Sequence, residues 1–190
     1  MKKTTLIIIS GLPGVGKTTL AKKIADELGF VMISMDAIKE VMWDTMGHKF
    51  ELEFHNKFGK TAFKLLFHFM ELSLSKGASL VIEAHFHPEW NNERFNKLKE
   101  KYNLNLIQIH CDCETETLRK RVKERIGKDS YHKGHIHTIN LHGVDNVLYS
   151  LGIKNKRLSI NGATYDLDTT NLEEIDYEKL LKFISNNIKQ

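Results

Sequence analysis

Three glycines, a lysine and two threonines crowd into the stretch Gly11-Leu12-Pro13-Gly14-Val15-Gly16-Lys17-Thr18-Thr19-Leu20, directly after the apolar run Leu6 to Ser10. The fixed positions Gly11-x-x-x-x-Gly16-Lys17-Thr18 form the P-loop pattern. Such a loop wraps a phosphate in consecutive backbone N–H groups, which side chains at the close-approach positions would block. The helix predicted after it aims its N-terminus at the anion, Lys17 reaches the β- and γ-phosphates, and the Thr18 hydroxyl ligates Mg²⁺. The predicted chemistry is grip on a nucleoside triphosphate, taken as ATP, through Gly11, Leu12, Pro13, Gly14, Val15, Gly16, Lys17, Thr18 and Thr19.

Further residues could act on that phosphate. Asp36 follows the strand-like run Phe30 to Ser34, at the carboxyl end where ligands sit in open α/β sheets. A carboxylate there could take the proton of a hydroxyl attacking the γ-phosphate; it could equally cap a helix beginning at Ala37. Lys39, one turn later, lies on the same side and could hold an acceptor phosphate or stabilise charge. Glu83 closes the apolar run Ser79 to Glu83, where an acid orients Mg²⁺ or its water shell. His85 and His87 could line the acceptor pocket; read as a metal pair they lack flanking ligands. Between Arg119 and Lys133 there are seven Lys or Arg against two acids, more positive charge than the +4 of the whole chain. Arg121 and Arg125 share a helical face there and could clamp a transferring phosphoryl group. The glycines and polar residues beyond them suggest a lid, with His132, His135 and His137 unassigned within it. A solvated basic helix is the plainer reading of that segment.

Positioning these groups requires alternating strands and helices. Strands are predicted at 5–10, 30–34, 79–83, 105–110 and 163–168. Helices are predicted at about 17–28, 36–46, 51–76, 89–102, 114–126 and 173–187. Continuously apolar strands separated by helices describe a sheet covered on both faces. The expected fold is α/β, a three-layer P-loop sandwich. It has a central five-stranded, mostly parallel sheet, helices on both faces and an Arg-rich lid at about 119–143. One domain, 1–190, is expected. In the long helix, Phe54, Phe58, Leu65, Phe69 and Leu72 form one stripe and Phe63, Phe67, Met70 and Leu74 another, which predicts burial between layers. Asn161-Gly162 is a two-residue turn signal, so the last strand is expected to belong to a hairpin.

Composition narrows the class. With 41% hydrophobic and 27% charged residues, the 190-residue chain reads as globular. Its two cysteines, Cys111 and Cys113, are too close to staple anything. No apolar run approaches the ~20 residues of a membrane span and no cleavable leader is evident, so a cytoplasmic protein is expected. A GTPase is disfavoured: the DxxG at Asp26 to Gly29 ends the first helix, and no Asn-Lys pair is followed by the required aspartate.

The ordered set GLPGVGKTT, Asp36, LRKRVKER (Leu118 to Arg125) and DLDTT (Asp166 to Thr170) resembles the P-loop kinases of the polynucleotide-kinase, chloramphenicol-phosphotransferase and zeta-toxin group. That resemblance implies ATP and Mg²⁺ as cofactors. It matches Asp36 to the group's general base, and Arg121 and Arg125 to lid arginines on the phosphates. It places Asp168 to Thr170, with Thr169 at its centre, on the loop that meets the adenine. Lys39 stands where the phage-type polynucleotide kinase has an arginine on the acceptor's phosphate, and lysine keeps the charge without the bidentate geometry. Glu83 stands where many relatives carry aspartate. The expected activity is transfer of the γ-phosphoryl group of ATP to a hydroxyl of a small-molecule acceptor. The alternatives are a polynucleotide 5′-hydroxyl kinase and a nucleotide-binding module without phosphotransfer. A nucleic-acid partner is not favoured, because the basic segment is short and its one aromatic is Tyr131.

Overall fold

In a computed structural model, residues 3–47, 52–129, 131–143 and 156–188 are described. Five strands form one all-parallel sheet in the order β2-β3-β1-β4-β5. They are β1 (Thr5–Gly11), β2 (Val31–Ser34), β3 (Leu80–Glu83), β4 (Asn105–Asp112) and β5 (Ala163–Asp168). The helices are α1 (Lys17–Leu28), α2 (Met35–Met46), α3 (Leu52–Leu74), α4 (Pro88–Tyr102), α5 (Thr115–Ile126), α6 (Lys133–His142) and α7 (Tyr177–Ile188).

Alternation along the strands divides the core. Ile7 and Ile9 of β1, with Val81, Ile107 and Ile109, pack against Leu20 and Ile24 of α1, Leu118 and Val122 of α5, and Leu180 and Ile184 of α7. Leu6, Ile8, Leu80, Ile82 and Leu106 face the other way, onto Leu66, Phe67 and Met70 of α3 and Phe95 and Leu98 of α4. Both faces of β1 are therefore apolar and dry, as a central parallel strand requires. Its register beside β3 and β4 sets Ile9 opposite Glu83 and Gly11 opposite Cys111. The P-loop and Glu83 thereby emerge at the same end of the sheet.

Two expectations are corrected. β5 pairs with β4 in parallel, so it belongs to no hairpin with the segment before it. Gly162 is there for a different reason: a Cβ at that position would sit 2.3 Å from the carbonyl oxygen of Leu106. Residues 157–161 instead run across α4, where Asn92 and Asn96 accept from the Ser159 and Asn161 amides at 2.9 and 2.7 Å. The long helix α3 is not buried all round. Phe58, Phe67, Met70 and Leu74 are in the core, but Phe54, Phe69 and Leu72 stand in solvent at 41, 46 and 54% exposure. The stripe of Phe67, Met70 and Leu74 packs on the sheet, while the other is split: Phe58 stacks on Trp43 of α2 and Phe54, Phe69 and Leu72 face outward.

No helix among the described residues is long and apolar enough to cross a membrane.

Candidate active site

The P-loop conformation is forced by what surrounds it. Gly11 and Gly14 have φ of +145° and +91°, where a side chain is strained. A Cβ on Gly11 would lie 2.4 Å from the carbonyl oxygen of Cys111, and one on Gly14 would lie 2.9 Å from Val122 Cγ2. These two glycines thus let the loop press onto β4 and α5, in addition to opening its inner side. Val15 is fully buried and Leu12 nearly so, which anchors the loop to the core. Gly16 stands at the N-cap of α1 with no side-chain cap, and the first turn of α1 carries no acid. The unpaired N–H groups and positive end of the helix dipole are left for an anion. Lys17 is buried and folds back so that its Nζ donates to the Leu12 carbonyl at 2.8 Å.

Opposite the loop, three oxygens meet. Thr18 Oγ1 donates to Glu83 Oε1 at 3.2 Å, and Ser34 Oγ donates to the same oxygen at 2.5 Å. Glu83 is 1% exposed, so these hydroxyls are what make its burial tolerable. Ser34 also accepts from the Ala37 amide at 3.2 Å and is the N-cap of α2. The cap expected of Asp36 is therefore supplied by Ser34, and Asp36 falls in the helix's first turn with its carboxylate free for other use.

Asp36, Ser34, Lys17 and Thr18 line one cleft of about 620 Å³ together with Gly14, Gly16, Glu40, Arg125, Lys128, Tyr131 and His135. Asp36 lies deep in it, yet half of its side chain is accessible. Burial pushes its carboxyl toward the neutral form, but Lys39, His135 and Lys17 outweigh that and hold its pKa below the ordinary value. Lys39 Nζ is 3.5 Å from Asp36 Oδ1.

Thr18 and Glu83 offer hard oxygen donors beside the site where phosphate would sit. That set fits Mg²⁺, which keeps several waters and binds through few protein groups plus phosphates. Among the described residues no group of three His, Cys, Asp or Glu could hold a metal by itself.

Three expected site residues make contacts with the protein itself. The Gly11 carbonyl accepts from His85 Nδ1 at 3.3 Å, so His85 braces the first residue of the P-loop instead of lining the acceptor side. Burial, with His87 and Lys17 nearby, lowers its pKa to about 4. Arg121 donates to the carbonyls of Thr169 and Thr170 at 2.8 and 2.9 Å and so clamps the loop after β5, away from the Asp36 cleft that Arg125 lines. Thr169 is 2% exposed, and its hydroxyl and amide both donate to the Asp112 carbonyl, at 2.7 and 2.8 Å. Its side chain ties that loop to β4. The four-residue spacing put both arginines on one face of α5, but one turn along that face separates the loop from the cleft.

Sequence reasoning missed Ser34, Glu40, Tyr131, Lys128 and the role of His135. Glu40 carried a usable signal, four residues after Asp36 and so on its face of α2. The contact that seats α6 on α2 had none. Buried Trp43 stacks with His132 at 5.5 Å and meets His135 edge-on at 4.8 Å, while His132 and His135 pair with Asp44 and Glu40 at 3.1 and 3.0 Å.

Relatives share this arrangement to different degrees. The chain is 27% identical over 143 residues to an "Adenylate kinase isoenzyme 6 homolog" of Caenorhabditis elegans, covering 67% of this chain and 77% of that protein. It is similar to a "putative kinase" from Chloroflexus aurantiacus, at 28% identity and a TM-score of 0.83, over 99% of this chain and 97% of the other. The fold is also that of a sugar kinase from Janibacter, at 19% identity and a TM-score of 0.60, over 96 and 95% of the two chains. The P-loop, the α1 helix behind it and the α5 helix all fall within residues 6–141, which match the AAA-domain family, and to that family the chain belongs.

Proposed function

We propose that the protein is a kinase that transfers the γ-phosphoryl group of ATP to a hydroxyl of a small molecule, with residues 1–190 acting as one catalytic domain and α5–α6 as its lid. The observation that carries this is Asp36: an accessible, ionised carboxylate facing the P-loop lysine across one cleft. In this reading the loop amides from Gly11 to Thr19, with Lys17, hold the β- and γ-phosphates. Mg²⁺, when bound, would be held by Thr18 with Glu83 behind it, and would neutralise charge on the phosphate oxygens. The acceptor O–H gives its proton to Asp36 as its oxygen forms a bond to the γ-phosphorus. The bond from that phosphorus to the β,γ-bridging oxygen breaks, and ADP leaves with the electron pair. Arg125 and Lys128 face the developing charge. Arg121 acts at one remove, by fixing the loop of Thr169 and Thr170.

Two features support a small acceptor over a polynucleotide. The solved structures that share the fold include a sugar kinase. The basic segment also spends charge on itself, since Arg119 pairs with Glu116 and Lys120 with Glu124 along α5. The experiment is incubation with labelled ATP and Mg²⁺ against a panel of hydroxyl compounds and a 5′-hydroxyl oligonucleotide. An acceptor whose labelling disappears in Asp36→Asn supports the reading; labelling that survives the substitution rejects Asp36 as the base.

A further inference from the structure

We propose that Glu40 and His135 recognise the acceptor, and that the acceptor is an uncharged or cationic polyhydroxyl compound with a second hydrogen-bond donor close to its reacting hydroxyl. The inference rests on the phosphotransfer reading above and deepens it.

Glu40 follows Asp36 by four residues on α2, and both line the same cleft. At that spacing the Cβ atoms lie about 6 Å apart on one helix face. Two hydroxyls on adjacent or next-adjacent carbons span such a gap, one at each carboxylate.

The second carboxylate is held ready by the lid. Glu40 Oε1 lies 3.0 Å from His135 Nε2. A carboxylate can only accept, so Nε2 carries the proton in that bond. The imidazole itself is fixed from two further sides, stacked on Tyr131 at 5.4 Å and edge-on to Trp43 at 4.8 Å. A Cβ on Gly134 would strike the Trp43 ring at 2.2 Å, so this glycine is what lets α6 settle close enough for the bond to form. His135 is nearly enclosed, its side chain 13% exposed, whereas Glu40 remains 42% exposed. One oxygen of Glu40 is thus oriented by the lid while the carboxylate stays open to solvent with lone pairs to spare.

Charge separates the two walls. Among the described residues, the cations lining the cleft are Lys17 of the P-loop and Arg125 and Lys128 at the end of α5; the carboxylates lining it both come from α2. Lys39 lies against Asp36. With Lys39 paired to Asp36, an acceptor bearing its own carboxylate or phosphate beside the reacting hydroxyl would meet the like charge of Glu40. A hydroxyl or ammonium group would be bound. Glu40 is a specificity residue here and His135 a positioning residue.

The test uses four probes with labelled ATP: glucitol, glucosamine, gluconate and a 5′-hydroxyl oligonucleotide. The wild-type protein should prefer glucitol or glucosamine to gluconate by at least about tenfold in kcat/KM. Glu40→Gln keeps the shape and removes the charge. It should raise KM for the preferred probe about tenfold with a much smaller change in kcat. Glu40→Lys should shift the preference toward gluconate, a reversal that a merely structural role for Glu40 would not produce. His135→Asn, which retains a donor, should lose less than His135→Ala, and in KM more than in kcat. Preference of the wild type for gluconate or the oligonucleotide would overturn the inference and leave phosphotransfer standing, as would an unchanged KM in Glu40→Gln. Labelling of none of the four, with ATP bound, would overturn the inference and count against the kinase reading too.

Discussion

Ser34 and Glu83 come from neighbouring parallel strands and share a hydrogen bond of 2.5 Å at the bottom of the cleft. That one hydroxyl satisfies a buried carboxylate and caps the helix that carries Asp36. Ser34→Ala should therefore lower stability by about 1–3 kcal/mol, through the lost cap and the carboxylate left short of a donor. It should also reduce kcat, because the first turn of α2 sets the position of Asp36. Urea denaturation beside steady-state kinetics measures both. Ser34→Thr, which keeps the hydroxyl, should recover most of each.

Asp36→Asn should reduce kcat by about 10²–10⁴-fold, the usual contribution of a general base. ATP should still bind, since Asp36 belongs to α2 and not to the loop that holds phosphate. Calorimetric titration with ATP separates the two effects. Because Lys39, His135 and Lys17 outweigh burial and keep the carboxyl below its ordinary range, the acid limb of kcat/KM attributable to Asp36 should fall below pH 4. A limb near pH 6 that vanishes in Asp36→Asn would contradict this.

The two arginines of α5 should fail differently. Arg125→Ala should lower kcat about 10²-fold or more with a smaller change in KM for ATP, as expected for a group that faces the transferred charge. Arg121→Ala should chiefly raise KM for ATP, since it frees the carbonyls of Thr169 and Thr170 from their clamp. Equal effects of the two substitutions on kcat would show that Arg121 reaches the phosphates after all.

His85 adds a pH dependence to folding. Its pKa is about 4 in the folded chain, against 6.5 in the unfolded one. Between those values the unfolded chain binds more protons, so the stabilisation is complete above pH 6.5 and is lost as pH falls toward 4. From pH 7 to pH 5 the loss should be about 2 kcal/mol from this residue. His85→Gln should flatten that part of the profile, as read from urea midpoints at the two values.

The exposed stripe of α3 gives a packing test. Phe69→Gln and Leu72→Gln should each change stability by less than about 0.5 kcal/mol, whereas Phe67→Ala, two residues before Phe69 but fully buried, should cost about 3–5 kcal/mol. Thermal melts of the three variants decide it.

What could be read from the chain follows from which signals are local. The P-loop spacing, the buried strands and the acid that ends β3 are set by short-range pattern, and the loop and the acid emerge at the carboxyl edge of the sheet. The hairpin failed because Asn161-Gly162 looks the same whether glycine serves a tight turn or a close approach to Leu106. Phe54, Phe69 and Leu72 of α3 were misread because apolar residues on a helix face do not reveal whether anything covers them. The clamp of Arg121 on the loop of Thr169 and Thr170 was not legible, because it joins a side chain to carbonyls 48 and 49 positions away. The seat of α6 on α2 is longer in range still: Glu40 and His135 are separated by 95 positions, and neither announces the other.

Gly14 rests against Leu118 and Val122, the same helix that presents Arg125 one turn further on. In the proposed reaction, the cradle for the polyphosphate and the arm that meets its departing end thus share a single foundation. A methyl group added or removed at that seam would disturb both grips together, so damage there would masquerade as a double mutation of the active centre while touching neither partner of the reaction.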